Sequence, residues 1–305
     1  MFKHVLVPLD GAELTPRAID AGVALARQLG AAVTGFVAEA PLPLPSLGAY
    51  STAQGPAATA TPSVEELRGD EHAQRLLQGF RAAAERAGVA FDGHYQHTGD
   101  IDGAIVRAAE QHGSDLILMV THGRGAVGRA IFGSHTPQVV ARSPLPVLVM
   151  HDVPEKAVRF ERLLVAVDGS ALAEHAMQAG IELALQLGAS ITAFIAEPPS
   201  QPPPPGYGAL RYVREMEAHE QATTRHADGV LIDFERRAAA AGVPFKGIHV
   251  MAELVDRAIA EAAQEQGCDM IVMATHGREG FGALLYGSQT KGVMVRSKLP
   301  LLVLH

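Results

Sequence analysis

Along the first half of the chain, short β-branched and aliphatic runs alternate with alanine-rich segments in which apolar residues recur every three to four positions. The runs are Val5–Leu9, Ala32–Ala38, Ala90–His97, Leu116–Val120 and Val147–Met150. None shows the strict one-in-two alternation of a sheet with one wet face, so the pattern predicts buried parallel strands. Between them, helical periodicity predicts helices near residues 13–29, 63–87, 100–112 and 134–142. The second of these stops at Ala87-Gly88, where a glycine accepts the left-handed turn that ends a helix. A βαβαβαβαβ unit with right-handed crossovers needs helices on both faces of one parallel sheet. For five strands the doubly wound order is 3-2-1-4-5.

The unit is written twice. Shifted by 154 residues, 115–151 matches 269–305 without a gap at 19 of 37 positions. Near the start of each half VLVPLDG (5–11) recurs as LLVAVDG (163–169), and LGAAVTGFVAEAP (29–41) as LGASITAFIAEPP (187–199), now shifted by 158. A period of half the chain is a duplicated domain rather than a solenoid. The units are expected over 1–152 and 159–305, with HDVPEKAVRFE (151–161) as the joint. Proline-rich stretches at 41–62 and 198–208 cannot continue a strand or a helix interior. Both leave the end of the second strand, as variable loops or as flaps over a nearby site, and as flaps they would border the mouth of that site.

In a doubly wound sheet the ligand crevice opens at the carboxyl ends of the strands where the winding reverses, here the first and fourth. The first strand ends in Asp10-Gly11 and, in the second unit, Asp168-Gly169-Ser170. The fourth ends in Thr121-His122-Gly123-Arg124 and in Thr275-His276-Gly277-Arg278. Gly133-Ser134 and Gly287-Ser288 follow at the same spacing. A glycine after a strand lets backbone N–H groups approach a ligand. A Gly-Ser opening a helix presents free amides, a hydroxyl and the positive end of the helix dipole, which suits phosphate. Asp10 and Asp168 fit either of two roles, acceptor for a ribose hydroxyl or base amide, or plain helix N-cap; Gly133-Ser134 likewise fits a bare cap.

Two motif readings fail inside the sequence. Gly123-x-Gly125-x-x-Gly128 spells a dinucleotide fingerprint, but the second unit has Glu279 for the middle glycine and the fingerprint belongs after the first strand. Gly128-x4-Gly133-Ser134 has P-loop glycine spacing, yet His135 and Gln289 stand where a lysine is required. Phosphate binding is compatible with that, phosphoryl transfer much less so.

Composition narrows the classes. The chain has 305 residues, 48% of them apolar and 19% charged, with a formal charge of -8 and a pI near 5.9. That balance offers no field for a polyanion, so nucleic acid is not an expected partner. No stretch approaches a membrane span and the amino terminus does not read as a signal peptide, which points to a cytoplasmic protein without a membrane partner. One cysteine, Cys268, excludes an internal disulfide and reads as a small buried residue. Fourteen histidines raise the question of a metal, but His94 and His97 face opposite sides of a strand and the helical pair His219 and His226 alone makes no site. His122 and His276 are read as structural or as ligand contacts. No metal site and no nucleophile-base constellation is expected.

In these residues the chain resembles the universal stress protein family in its tandem form. The family's nucleotide-binding members carry G-2x-G-9x-G-S/T after the fourth strand and a V-x-D-x-S-like end to the first. Val120-Thr121-His122-Gly123, nine residues, Gly133-Ser134 is similar to that motif, and so is Ala274-Thr275-His276-Gly277, nine residues, Gly287-Ser288. The resemblance implies two Rossmann-like, adenine nucleotide alpha hydrolase-like domains, each a five-stranded parallel sheet with helices on both faces. Each would bind ATP or ADP, with Mg2+ as an accompanying ion. Carried over by position, phosphates meet Gly123, Gly133, Ser134 and Thr136, and Gly277, Gly287, Ser288 and Thr290, with Thr121 and Thr275 beside them. Asp10-Gly11 and Asp168-Gly169 meet ribose or base, Ala38 and Ala196 the adenine, and Arg124 and Arg278 reach phosphate oxygens or solvent. Val120 and Ala274 replace the motif's first glycine, which implies weakened or rearranged binding rather than its loss. Family members dimerise through the fifth strand, so the edges Pro146–Met150 and Pro300–Leu304 are expected to pair within the chain as an intramolecular pseudo-dimer, with a homodimer of whole chains as a further assembly. The implied function is a nucleotide-binding regulatory protein of the stress response with slow or no ATP turnover. A scaffold with empty crevices that acts through dimer surfaces, and a weak ATPase or self-phosphorylating enzyme using Ser134 or Ser288, are the alternatives.

Overall fold

The computed structural model describes residues 1–40, 64–121, 135–151, 159–199, 209–275 and 287–305. The first lobe runs β1 (His4–Leu9), α1 (Thr15–Leu29), β2 (Ala32–Glu39), α2 (Val64–Ala87), β3 (Phe91–His97), α3 (Ile101–Gln111), β4 (Leu116–Thr121), α4 (Thr136–Arg142) and β5 (Val147–His151). The second repeats it as β6 (Arg162–Ala166), α5 (Ala171–Leu187), β7 (Ser190–Glu197), α6 (Ala209–Ala240), β8 (Phe245–Met251), α7 (Val255–Glu265), β9 (Met270–Ala274), α8 (Ser288–Arg296) and β10 (Leu301–Leu304). Strand order within each lobe is 3-2-1-4-5, all parallel, as the crossover argument requires.

The expected pairing of fifth strands occurs. β5 and β10 lie antiparallel, Leu302 opposite Leu148, and fuse the lobes into one ten-stranded sheet. Two apolar layers cover it. On one face α1, α2, α5 and α6 pack around Phe80, Phe160 and Phe234; on the other α3, α4, α7 and α8 pack around Ile117, Val149, Ile271 and Val303. Each layer runs through both lobes. A second contact locks the seam: Gln28 on α1 donates to the Phe160 carbonyl at 2.9 Å and accepts from its amide at 3.1 Å. Its repeat Gln186 accepts from the Phe2 amide at 2.9 Å and donates to the Phe2 and Leu29 carbonyls. Each glutamine thus clamps the strand entry of the other lobe, the reciprocal contact of a twofold interface made within one chain.

Two expectations are corrected, and a third lies outside the described residues. Ala90–His97 is not a fully buried run: β3 is an edge strand, as is β8, and both are largely half-exposed or exposed. The fourth helix opens later than 134, with His135 at its N-cap position and no side-chain cap. The proline-rich stretch at 41–62 and nearly all of that at 198–208 fall outside the described residues, so their relation to the crevice mouth does too. Among the described residues no helix is long and apolar enough to cross a membrane. Cys268 is buried, and burial raises its thiol pKa, in keeping with a packing role.

Candidate functional site

The two strand-1 aspartates sit at the top of the sheet at the winding reversal. Each lies one or two residues past its strand and is followed by a glycine with positive φ, 71° at Gly11 and 76° at Gly169, which turns the chain toward the helix. The aspartates are not helix N-caps. Leu14 holds that position for α1, and in α5 Ser170 takes it, accepting from the Ala173 amide at 3.2 Å. Asp10 instead closes the turn, accepting from the Ala12 amide at 2.9 Å and the Thr15 hydroxyl at 3.1 Å. Asp168 does the same with the Ser170 amide at 3.0 Å. All three bonds use Oδ1. The turn therefore fixes each exposed carboxylate and, among the described residues, leaves Oδ2 available as an acceptor, the arrangement a ribose hydroxyl needs.

Each aspartate borders a cleft open to solvent. The floor is apolar and duplicated: Ile101, Ile105 and Met119 in the first lobe, Val255, Ile259 and Met273 in the second. The sequence reading missed these six. Their signal was present in the 154-residue spacing, but among so many recurring apolar residues only the fold separates cleft floor from core. Ala38 and Ala196 line the walls. So do Val120 and Ala274, the branched side chain of Val120 taking more of the first cleft.

The far wall is a helix start. In the second lobe Gly287 precedes α8 with φ -52°, and no side chain caps the first-turn amides; Ser288 and Gln289 are exposed and Thr290 is buried. Thr275, 2% exposed, spends its hydroxyl accepting the Gly287 amide at 3.0 Å, tying the strand end to the helix start. Thr121, its equivalent, is equally buried and bonds His151 Nδ1 at 2.6 Å. These two threonines brace the cleft with their hydroxyls rather than extend them into it. Thr136 and Thr290 line the clefts and are buried. Gly123, Arg124, Gly133, Ser134, Gly277 and Arg278, with His122 and His276, lie outside the described residues.

The lobes differ in charge at this wall. His135 Nδ1 lies 2.5 Å from Asp102 Oδ1 and the imidazole borders the first cleft; the second lobe has Gln289 there. Asp256, the equivalent of Asp102, is taken by Arg296 at 2.6 Å. In the first lobe Arg142 pairs instead with Asp100 at 2.9 Å, a carboxylate whose second-lobe counterpart is Leu254. Losing one acidic residue has rerouted the arginine and, with it, the partner of the cleft wall.

A second unforeseen pair is His72 on α2 and His226 on α6, 154 residues apart. A Cβ placed on Gly11 or Gly169 would lie 2.3 Å from the Nε2 of the nearby imidazole. Positive φ is what requires the glycine after the aspartate, and any side chain there would also push the imidazole aside.

The family model described as the universal stress protein family matches residues 1–151 and 159–305. A universal stress protein of Mycobacterium tuberculosis (strain ATCC 25618 / H37Rv) is 24% identical over 197 residues, 62% of this chain and 61% of the relative, so the match spans about three fifths of that relative's length. One from Thermus aquaticus is 33% identical over 154 residues, 49% of this chain and 99% of its own. Among solved structures, a universal stress protein from Archaeoglobus fulgidus covers 99% of this chain and 97% of its own with a TM-score of 0.70 at 17% identity, a likeness of fold.

Proposed function

This chain belongs to the universal stress protein family, and on that premise we propose that it is an adenine-nucleotide-binding regulatory protein of the stress response, with one mononucleotide cleft per lobe and slow or no turnover of ATP. The observation that carries the reading is the repetition, in both lobes, of a fixed aspartate with a free oxygen beside an apolar floor and opposite a helix start. Adenine would lie on Met119 and Ile105, or Met273 and Ile259, against Ala38 or Ala196. A ribose hydroxyl would donate to Oδ2 of Asp10 or Asp168. The phosphates would extend toward Gly287, Ser288 and Thr290, and by the family motif toward Gly123, Arg124, Gly133, Ser134, Gly277 and Arg278. Five strands and one helix start make a half-site, which favours ATP or ADP, with Mg2+, over a dinucleotide.

Little supports rapid chemistry. No lysine stands at His135 or Gln289, so the charge of a transferring phosphoryl group would go largely unanswered. The units 1–152 and 159–305 each supply a cleft, and the absence of paired cysteines suits the cytoplasm. The decisive experiment is calorimetry of the whole chain with ATP and with ADP in the presence of Mg2+. Two sites are expected, the second lobe binding more tightly because Ala274 obstructs less than Val120, and Asp168→Ala should remove the tighter one. Absence of heat at millimolar nucleotide would overturn the reading in favour of an empty-cleft scaffold. Release of γ-phosphate at many turnovers per minute would favour the enzyme alternative.

A further inference from the structure

At the opposite end of the first-lobe sheet from the cleft, three side chains converge that nothing in the nucleotide reading uses. Asp92 and His94 point from one face of the edge strand β3, and His112 follows α3. His94 Nε2 lies 2.7 Å from Asp92 Oδ2, and the His94 and His112 rings stack at 3.6 Å with an interplanar angle of 15°. One donor atom from each of the three lies within 4.8 Å of the other two. His94 and His97 do face opposite sides, as the strand period requires; the second nitrogen comes from a helix end eighteen positions away in sequence, which strand periodicity cannot reveal.

The duplicated lobe is an internal control on what the fold needs here. Position by position it carries Lys246 for Asp92, Ile248 for His94 and Gln266 for His112, with Arg162 for the flanking His4. Lys246 Nζ donates to Gln266 Oε1 at 2.6 Å, so the same strand and helix end are joined by an ordinary hydrogen bond. The architecture forms without imidazole or carboxylate. Where one lobe gathers two neutral-capable nitrogens and an anion, the other places two cations that would repel a metal.

We propose that Asp92, His94 and His112 form a binding site for one borderline divalent cation, zinc foremost, in the first lobe alone. Two imidazoles and a carboxylate are the donor set such ions prefer, and three protein ligands leave a position for water. Zinc–ligand bonds of about 2.0–2.2 Å require the donor atoms to close up somewhat, by rotation of the two rings out of their stack. Asp92 is exposed, the two imidazoles are half-buried, and among the described residues no strand lies beyond β3, so side-chain rotation suffices. The ion would pin the edge strand to the end of α3, whose other end floors the cleft at Ile101 and Ile105.

The test is equilibrium dialysis of the chelator-treated whole chain against ZnCl2, with thermal unfolding as a second readout. One zinc per chain and a raised Tm are expected. His94→Ile and His112→Gln, the residues the second lobe already carries, should each weaken zinc by at least about tenfold and abolish the rise in Tm. His249→Gln, at the His249–Glu197 pair of the second lobe, should change neither. Unchanged zinc uptake in the His94 and His112 variants would assign the ion to other histidines and overturn the proposal, as would no uptake at zinc concentrations of about 100 µM. Circular dichroism of both variants separates lost ligands from lost fold, and nucleotide calorimetry is independent of either outcome.

Discussion

The Asp-Gly step at the end of each first strand combines two requirements that pull a residue type in the same direction. The aspartate must fold back on the next turn through Oδ1, and the glycine must take positive φ beneath an imidazole. Gly287 is glycine for a different reason. Its backbone angles, φ -52° and ψ 149°, suit any residue, and among the described residues a Cβ there would meet only Thr275 Oγ1 at 3.9 Å. The fold therefore tolerates a side chain, and what a side chain would obstruct is the cleft. Gly287→Val is expected to leave the denaturation midpoint within experimental scatter while weakening ATP binding in the second lobe by roughly 2 kcal/mol, the loss of one or two charge-assisted hydrogen bonds. Paired urea titrations and calorimetry check both halves; a variant that loses stability and keeps affinity would show that this glycine serves the fold.

Elements that repeat in sequence diverge where their ends meet different partners. β5 ends in His151, whose Nδ1 bonds the Thr121 hydroxyl; its counterpart His305 follows β10, and its Nε2 is buried with no hydrogen-bond partner among the described residues. Burial depresses the His305 pKa to about 4. As pH falls below the ordinary histidine value near 6.5, the unfolded chain takes up this proton and the folded chain does not. Stability is therefore full above that value, declines through the acid range, and by pH about 4 has lost up to about 3 kcal/mol from this group. Denaturation at pH 7, 5.5 and 4.5 should show the loss, and His305→Asn should flatten it relative to the parent; equal slopes would mean the imidazole is reached by water. The strands and helices were legible to within a residue or two because each is a local pattern. The starts of α1 and α4 lie furthest from their expected places; for α4, Gly133-Ser134 has the composition of a cap and the helix opens only at Thr136.

The whole molecule behaves as a dimer built into one chain. Because the two apolar layers and the sheet are continuous across β5 and β10, unfolding one lobe would expose the buried edge of the other. A single calorimetric transition with matching calorimetric and van't Hoff enthalpies is expected. Removing both clamps, Gln28→Ala with Gln186→Ala, strands backbone groups of Phe2 and Phe160 and should cost about 2–4 kcal/mol, splitting or broadening that transition. Two well-resolved transitions in the parent chain would refute continuity as the source of cooperativity. The fifth-strand edges of the two lobes are consumed by their mutual pairing, and among the described residues β3 and β8 are the outermost strands of the sheet. Sequence alone determined the duplication, the strand order and the place of Asp10 and Asp168 after the first strand of each unit, because periodicity, crossover handedness and a 154-residue echo are properties of the chain taken in order; the fifth-strand pairing was implied by the family resemblance. Only the tertiary structure decided which apolar repeats floor a cleft, that His72 and His226 stand over the strand-1 glycines, that Thr121 and Thr275 turn their hydroxyls inward, and that Asp92 and His94 meet His112. Those outcomes depend on which helix end lies against which strand, a distance in space that no local pattern encodes.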